Sequence, residues 1–250
     1  MKLLMGAPFY IEGDVGRIVF VMPEKVAYKY CLDRMEKDSG KKAKKIEADG
    51  YDFRVYTGSF KGQKITVAPT IGGQLTERTL LDCYAQGSRI FHKMGTAGSE
   101  VFGSGKMCIV YRSLICDQLS MSYCPNGFAD ADSRLLRELM EKSKKMGIEL
   151  HKTDSHSVWQ SRSTPYVLRD PLEEKAKRNP EPIVIKEQEI GTIFSIAKHL
   201  DTLRDHVRSS AIAVVGSPIK RHNKNRYQDV IKSLKLGVDL SLEYFSSLPL

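Results

Sequence analysis

Three short stretches carry residue types able to bind or react. In the first, an apolar run (Ile90-Phe91) passes through His92 and Lys93 into the small-residue segment Gly95-Thr96-Ala97-Gly98. This pattern suits a buried parallel strand whose C-terminal end turns at a ligand site. Lys93 offers a cation, Thr96 a hydroxyl, and the glycines let a ligand approach the backbone closely. The same residues also read as a plain strand and turn with Lys93 reaching solvent. The second stretch is Lys186-Glu187-Gln188-Glu189, where an apolar strand becomes a helix. Carboxylates pair well with the vicinal hydroxyls of a sugar, but they are also favoured at a helix start by the helix dipole alone. The third is Trp159-Gln160-Ser161-Arg162, in a polar segment. A carboxamide beside a guanidinium can read a planar ring bearing carbonyls and an N–H, and Trp159 can stack on it. A surface loop with an ordinary Trp anchor fits equally.

Other machinery is missing from the sequence. No Gly-x-Ser-x-Gly elbow, His-Glu-x-x-His pair or Gly-x-Gly-x-x-Gly turn occurs. The six histidines form no ligand-spaced set, so no metal site is expected. Gly103-Ser104-Gly105-Lys106 lacks the full phosphate-loop pattern and precedes a strand, so it reads as a turn.

The elements that must position these residues follow from periodicity. Strands are expected at 17–22, 43–46, 51–58, 63–69, from Ser88, 106–111, 148–153, 183–185 and 210–215. Phe60-Lys61-Gly62-Gln63 reads as a hairpin turn. Helices are expected at 24–35, from Gly72-Gly73 through Tyr84, at 133–146, 187–203 and 226–245. Residues 154–182 read as a long loop or flap. Strands alternate with helices, so the class is α/β with a single domain over 1–250.

The chain has 250 residues and a formal net charge of +9. That balance suits anionic small molecules. The basic clusters at 41–45, 142–145, 175–178 and 220–226 are not interleaved with aromatics, so nucleic acid is not the expected partner. No run of eighteen apolar residues exists, so no membrane span is expected. The N-terminal Met-Lys-Leu-Leu-Met is too short for a signal peptide. Five scattered cysteines without Cys-x-x-Cys spacing indicate reduced thiols and a cytoplasmic protein.

Taken in order, the motifs resemble those of the nucleoside phosphorylase family that includes uridine phosphorylase. Gly13-Asp14-Val15-Gly16-Arg17 resembles its lead-in to the first strand, and Tyr56-Thr57-Gly58-Ser59-Phe60-Lys61-Gly62 its Tyr/Phe-Thr-Gly-x-x-Lys-Gly hairpin. Thr70-Ile71-Gly72-Gly73 is similar to its Thr-Gly-Ile-Gly-Gly turn, and Lys93-Met94-Gly95-Thr96-Ala97-Gly98 to its Arg-Val-Gly-Thr-x-Gly. Glu187-Gln188-Glu189 with Ile193-Phe194 resembles its Glu-Met-Glu helix start, and Gln160-Ser161-Arg162 the Gln-x-Arg that reads uracil. The resemblance covers nearly the whole chain.

It implies a central mixed, twisted sheet flanked by helices. It also implies phosphorolysis of a pyrimidine nucleoside of uridine type, with phosphate as co-substrate and no cofactor. Lys93, Gly95 and Thr96 would hold phosphate. Glu187, Gln188 and Glu189 would line the ribose, with Glu189 gripping its hydroxyls. Trp159, Gln160 and Arg162 would hold the base. Glu189 and Arg162 are then the implied catalytic residues. A homo-oligomer, dimer or hexamer, is implied because the family completes each site with a neighbour's residues. The chain also departs from the pattern. Where Gly-Asp-Pro-x-Arg should follow Met22-Pro23 stands Glu24-Lys25-Val26-Ala27, and the strand-end arginine is Lys93. The hairpin arginine falls at Tyr51, the N-terminal histidine near Phe9 or Tyr10, and the purine-protonating aspartate near Pro218. Lys25 and Arg54 are candidates to compensate. Hydrolysis by water, and nucleoside binding without catalysis, are the alternative readings.

Overall fold

In the computed structural model, residues 11–47, 54–99, 101–115, 118–157, 183–203, 205–216 and 224–249 are described. Strand β1 (Ile18–Val21) is buried along its whole length. Its side chains alternate between two cores, as a strand's period of two dictates. Val19 and Val21 join a cluster with Leu80, Phe91, Ile193 and Phe194. Ile18 and Phe20 join one with Met35, Leu139, Leu234 and Phe245. A sheet with apolar residues on both faces needs a helical layer on each. Helices α2 (Gly73–Ala85), α3 (Gln118–Tyr123) and α5 (Ile190–Asp201) cover the first face. Helices α1 (Lys25–Ser39), α4 (Ser133–Lys145) and α6 (Lys224–Phe245) cover the second. Helix α4 shows the local logic: Asp132 caps it by accepting from the Leu135 N–H at 2.7 Å, and Leu135, Leu136 and Leu139 form its buried stripe.

The remaining strands are β2 (Lys44–Glu47), β3 (Arg54–Phe60), β4 (Gln63–Ala68), β5 (Ile90–Ser99), β6 (Met107–Ile115), β7 (Phe128–Asp130), β8 (His151–Ser157), β9 (Ile183–Glu187) and β10 (Arg208–Val215). All join one mixed sheet. The β3–β4 hairpin turns at Lys61 and Gly62, both with positive φ, as a two-residue turn between twisted strands requires. Strand β5 is the hub. It pairs with β1 over 90–93, with β10 over 90–97, and with β9 at Gly98 and Ser99. Because β10 also pairs β6, β6 pairs β8 and β8 pairs β9, these strands close into a ring. The ring brings the end of β9, and so Glu187, back beside the end of β5.

The α/β class and the helix-flanked mixed sheet match expectation; several local features differ, among them the helix expected from Glu187, which begins at Ile190, and the strand expected at 106–111, which runs to Ile115. Gly95-Thr96-Ala97-Gly98 is not a turn but the continuation of β5. Partner β1 stops before Pro23, which has no N–H for a ladder, yet β10 and then β9 keep pairing through Ser99. Strand β8 begins at His151 and runs to Ser157, into the stretch read as loop; residues 158–182 of that stretch lie outside the described residues. Its polar run reads as loop because the hydroxyls that make it a strand interior are paired only across the ring. Elements α3 and β7, both short, carry no periodic signal and were not expected. Among the described residues, no helix is long and apolar enough to cross a membrane.

His92 of β5 is fully buried, its ring nitrogens each 2.9 Å from a hydroxyl, those of Ser210 and Ser241. Burial pushes its pKa down to about 3. The unfolded chain takes up this proton near pH ~6.5, so stability is complete above that pH and falls as pH drops toward 3. His156, held down to about 4 by burial and by Lys186, acts in the same direction. The thermal midpoint is therefore expected to decline steadily below pH ~6.5. His92→Gln should flatten that decline while lowering the neutral-pH midpoint; an unchanged slope contradicts this account.

Candidate functional site

Lys93 has no exposed surface, so its ammonium must find its counter-charges inside the protein. It finds two. Nζ lies 3.1 Å from Glu187 Oε2 and 2.9 Å from Glu189 Oε2, and both carboxylates are buried. Burial alone disfavours the ammonium, but Glu189 and Glu187 outweigh it and hold the Lys93 pKa above its ordinary value. Lys93 thus does not reach solvent.

Each carboxylate is anchored by backbone. Glu187 ends β9, and the chain bends through Gln188 and Glu189 before α5 begins at Ile190. Glu187 Oε2 accepts the N–H groups of Glu189 at 2.7 Å and Ile190 at 2.6 Å, so it also serves the start of α5. Its Oε1 accepts the Ser157 hydroxyl. Ser155 donates to Ser113 at 2.9 Å, and the Ser113 and Ser157 hydroxyl oxygens are 2.9 Å apart. Since the Ser157 proton goes to Glu187, the hydroxyls form a one-way chain, Ser155 to Ser113 to Ser157 to the carboxylate. Glu189 Oε1 accepts the Gly72 N–H at 2.9 Å. Gly72 has φ 79°, a conformation that favours glycine, and it opens α2. The Thr-Ile-Gly-Gly turn therefore holds Glu189 in place. Lys93 and Gly72 take one acceptor direction on each Glu189 oxygen, which leaves one on each for a hydroxyl of a diol.

A third carboxylate meets this cluster from the end of β1. Glu24 is the N-cap residue of α1, yet its side chain makes no capping bond. Its Oε1 instead accepts the Thr96 N–H at 2.6 Å and the Thr96 hydroxyl. Its Oε2 is buried and has no hydrogen-bond partner among the described residues. A Cβ on Gly95 would lie 2.9 Å from Glu24 Oε2 and 3.1 Å from Lys93 Cε. Gly95 is thus the point where the Glu24, Lys93 and Pro23 side chains converge, and a Cβ there would force the Glu24 carboxylate to shift.

Of the site residues expected from sequence, Lys93, Gly95, Thr96, Glu187 and Glu189 come together, with Gln188 half-buried between the two glutamates. Trp159, Gln160 and Arg162 lie outside the described residues, as do Phe9, Tyr10, Tyr51 and Pro218. Lys25 and Arg54 are exposed. Sequence reasoning missed Glu24, Ser113, Ser155 and Ser157. For Glu24 a signal existed: it directly follows Pro23 at the end of a buried strand, where the resembled pattern has a phosphate loop. No group of three or more His, Cys, Asp or Glu side chains among the described residues is placed to hold a metal ion.

The arrangement of this sheet and its helices is found in solved structures of other proteins. The chain is similar to uridine phosphorylase from Vibrio fischeri ES114, with TM-score 0.76 and 16% identity over 94% of this chain and 93% of that one. It is similar to the 5'-methylthioadenosine/S-adenosyl homocysteine nucleosidase of Campylobacter jejuni, with TM-score 0.71 and 16% identity over 93% and 100% of the two chains. It is also similar to purine nucleoside phosphorylase from Toxoplasma gondii, with TM-score 0.68 and 17% identity over 93% and 92%. No protein-family model and no curated protein sequence matches the chain. The fold is therefore that shared by nucleoside phosphorylases and nucleosidases.

Removing the ammonium strands two buried carboxylates. Lys93→Met is expected to destabilise the protein by about 3–5 kcal/mol, read as a lower urea midpoint. Adding Glu187→Gln to that variant should recover part of the loss, since one stranded charge is then gone. A Lys93→Met midpoint equal to wild type contradicts the ion cluster.

Proposed function

We propose that the chain cleaves the N-glycosidic bond of a nucleoside, with a ribose held between Glu189 and the Gly95-Thr96 segment. The observation that carries this reading is the buried Lys93–Glu187–Glu189 cluster adjoining Thr96. As the glycosidic bond lengthens, positive charge develops on the sugar. A cluster in which three carboxylates face one ammonium supplies negative potential there, and partial exclusion of water strengthens it. Glu189 has free acceptor directions for the ribose hydroxyls, and Lys93 and Gly72 keep it from rotating away. For the base, the resemblance supports a pyrimidine of uridine type: Gln160 and Arg162 would satisfy the ring carbonyls and N–H, Trp159 would stack on it, and Arg162 would stabilise the departing anion. Those residues are also why uridine is the first substrate to test. Cys31, Cys83, Cys108 and Cys124 are unpaired, which supports a reducing, cytoplasmic setting. A homo-oligomer remains part of the proposal on the resemblance alone.

Two acceptors can complete the reaction. Phosphate would give ribose 1-phosphate, as the resemblance implies. Water would give free ribose, and the contact between Glu24 and Thr96 supports it, because an internal carboxylate stands at the donors that the resemblance assigns to phosphate.

The test is base release by the purified chain from uridine and a panel of pyrimidine and purine nucleosides, with and without phosphate. Uracil release from uridine is expected, and Glu189→Gln should lower kcat/KM by about 100-fold or more. Absence of base release from every nucleoside with either acceptor overturns the catalytic reading; tight nucleoside binding in that case supports the non-catalytic one.

A further inference from the structure

We infer that Ser157, the last residue of β8, is a positioning residue for the proposed reaction: it ties Glu187 to the start of α5, and through both it sets where Glu189 stands. The inference rests on the proposed glycosidic cleavage for its catalytic meaning, but the coupling of Ser157 to the ion cluster is independent of any substrate.

Three observations converge. First, the Ser157 hydroxyl is fully used. It is buried, it donates to Glu187 Oε1, and it accepts the Gly191 N–H at 2.6 Å. Its second acceptor direction takes the proton of Ser113, whose oxygen is 2.9 Å away and in turn accepts from Ser155. A hydroxyl has one donor and two acceptor directions, so this one cannot turn without breaking a bond. Second, the contact is close at carbon as well. A Cβ on Gly191 would lie 2.7 Å from both Cβ and Oγ of Ser157. The first turn of α5 therefore rests on the serine, and Gly191 permits the approach. Third, Glu187 hands the position on by two routes. Its Oε2 accepts the N–H groups of Glu189 and Ile190, which fixes the Glu189 backbone. The same oxygen meets the Lys93 ammonium, whose other partner is the Glu189 carboxylate. Backbone and side chain of Glu189 are thus both referred to Glu187, and Glu187 to Ser157.

Ser157→Ala takes the partner away from two buried groups at once, the Gly191 N–H and Glu187 Oε1. Buried polar groups left without a bond are costly, so the helix start or the carboxylate must shift to recover one, and either shift moves Glu189 and Lys93. Ser210 supplies the contrast. It is an equally buried hydroxyl, on β10, but it bonds His92 at 2.9 Å, whose other ring nitrogen meets Ser241 of α6.

The test is heteronuclear NMR of the lysine ammonium groups on the full chain, with base release from uridine and the nucleoside panel measured in parallel. Wild type is expected to show a slowly exchanging ammonium that Lys93→Arg removes. Ser157→Ala should displace that signal and speed its exchange, and should lower kcat by about tenfold or more with a smaller change in KM. Ser113→Ala, which removes the donor one step back, should act in the same direction to a lesser degree. Ser210→Ala should lower the thermal midpoint yet leave the ammonium signal and kcat as in wild type. An unchanged ammonium signal in Ser157→Ala overturns the inference, as does an unchanged kcat or an equal response to Ser210→Ala. If Ser157→Ala does not fold, Ser113→Ala set against Ser210→Ala decides by the same criterion. A chain that releases base from no nucleoside defeats the proposed function, and the ammonium signal still tests the coupling.

Discussion

An ammonium with no access to water is tolerated only where carboxylates surround it, and here that constraint joins distant parts of the chain. Lys93 lies in the hub strand, and its partners come from the junction of β9 and α5 about a hundred residues later. The partners depend in turn on other elements. Glu189 is held by the turn before α2, and Glu187 by the start of α5 and by a serine chain running across β6 and β8. Ring closure of the sheet makes this possible. Without the short antiparallel pairing of Gly98 with Lys186, the glutamates would not stand over the lysine.

Three carboxylates, Glu24, Glu187 and Glu189, gather around the Lys93 segment, so the local potential there is negative. The same fold serves phosphorylases and a nucleosidase among its structural neighbours. Function on a shared fold is set by the site, and here the two donors of Thr96 are taken by one side chain, Glu24. Glu24 follows Pro23 directly, and the fixed φ of proline limits how the chain leaves β1. A carboxylate at that position is delivered to Thr96 by backbone geometry, not by a flexible loop.

Much of the architecture was legible from local pattern. Strand β1, the amphipathic α4 with its aspartate cap, the Lys61-Gly62 turn and the alternation of strands with helices all rest on short-range rules, so periodicity and turn chemistry sufficed. The resemblance implied that the Lys93 and Glu187–Glu189 segments share one site, with phosphate and ribose between them; their direct ion pairs were not anticipated. Other features were hidden because their cause is non-local. The small residues after Lys93 look like a turn in isolation; only β10 and β9, more than eighty residues away, make them a strand. The polar run of β8 looks like loop until Ser113, Ser157 and Glu187 satisfy one another's hydrogen bonds.

Residue types and their order thus determined the fold class, the two-faced sheet and the identity of the charged groups, because these follow from burial periodicity and from which side chains can ionise. Which charge meets which was decided by the tertiary structure alone. A lysine near a strand end and a glutamate at a helix start are each compatible with solvent, with a ligand or with one another. The ring of strands removes the solvent option for Lys93, and the close approach at Gly95 gives the Thr96 donors to Glu24. Electrostatic partnership depends on distance in space and on desolvation, and neither is written in the spacing of residues along a chain.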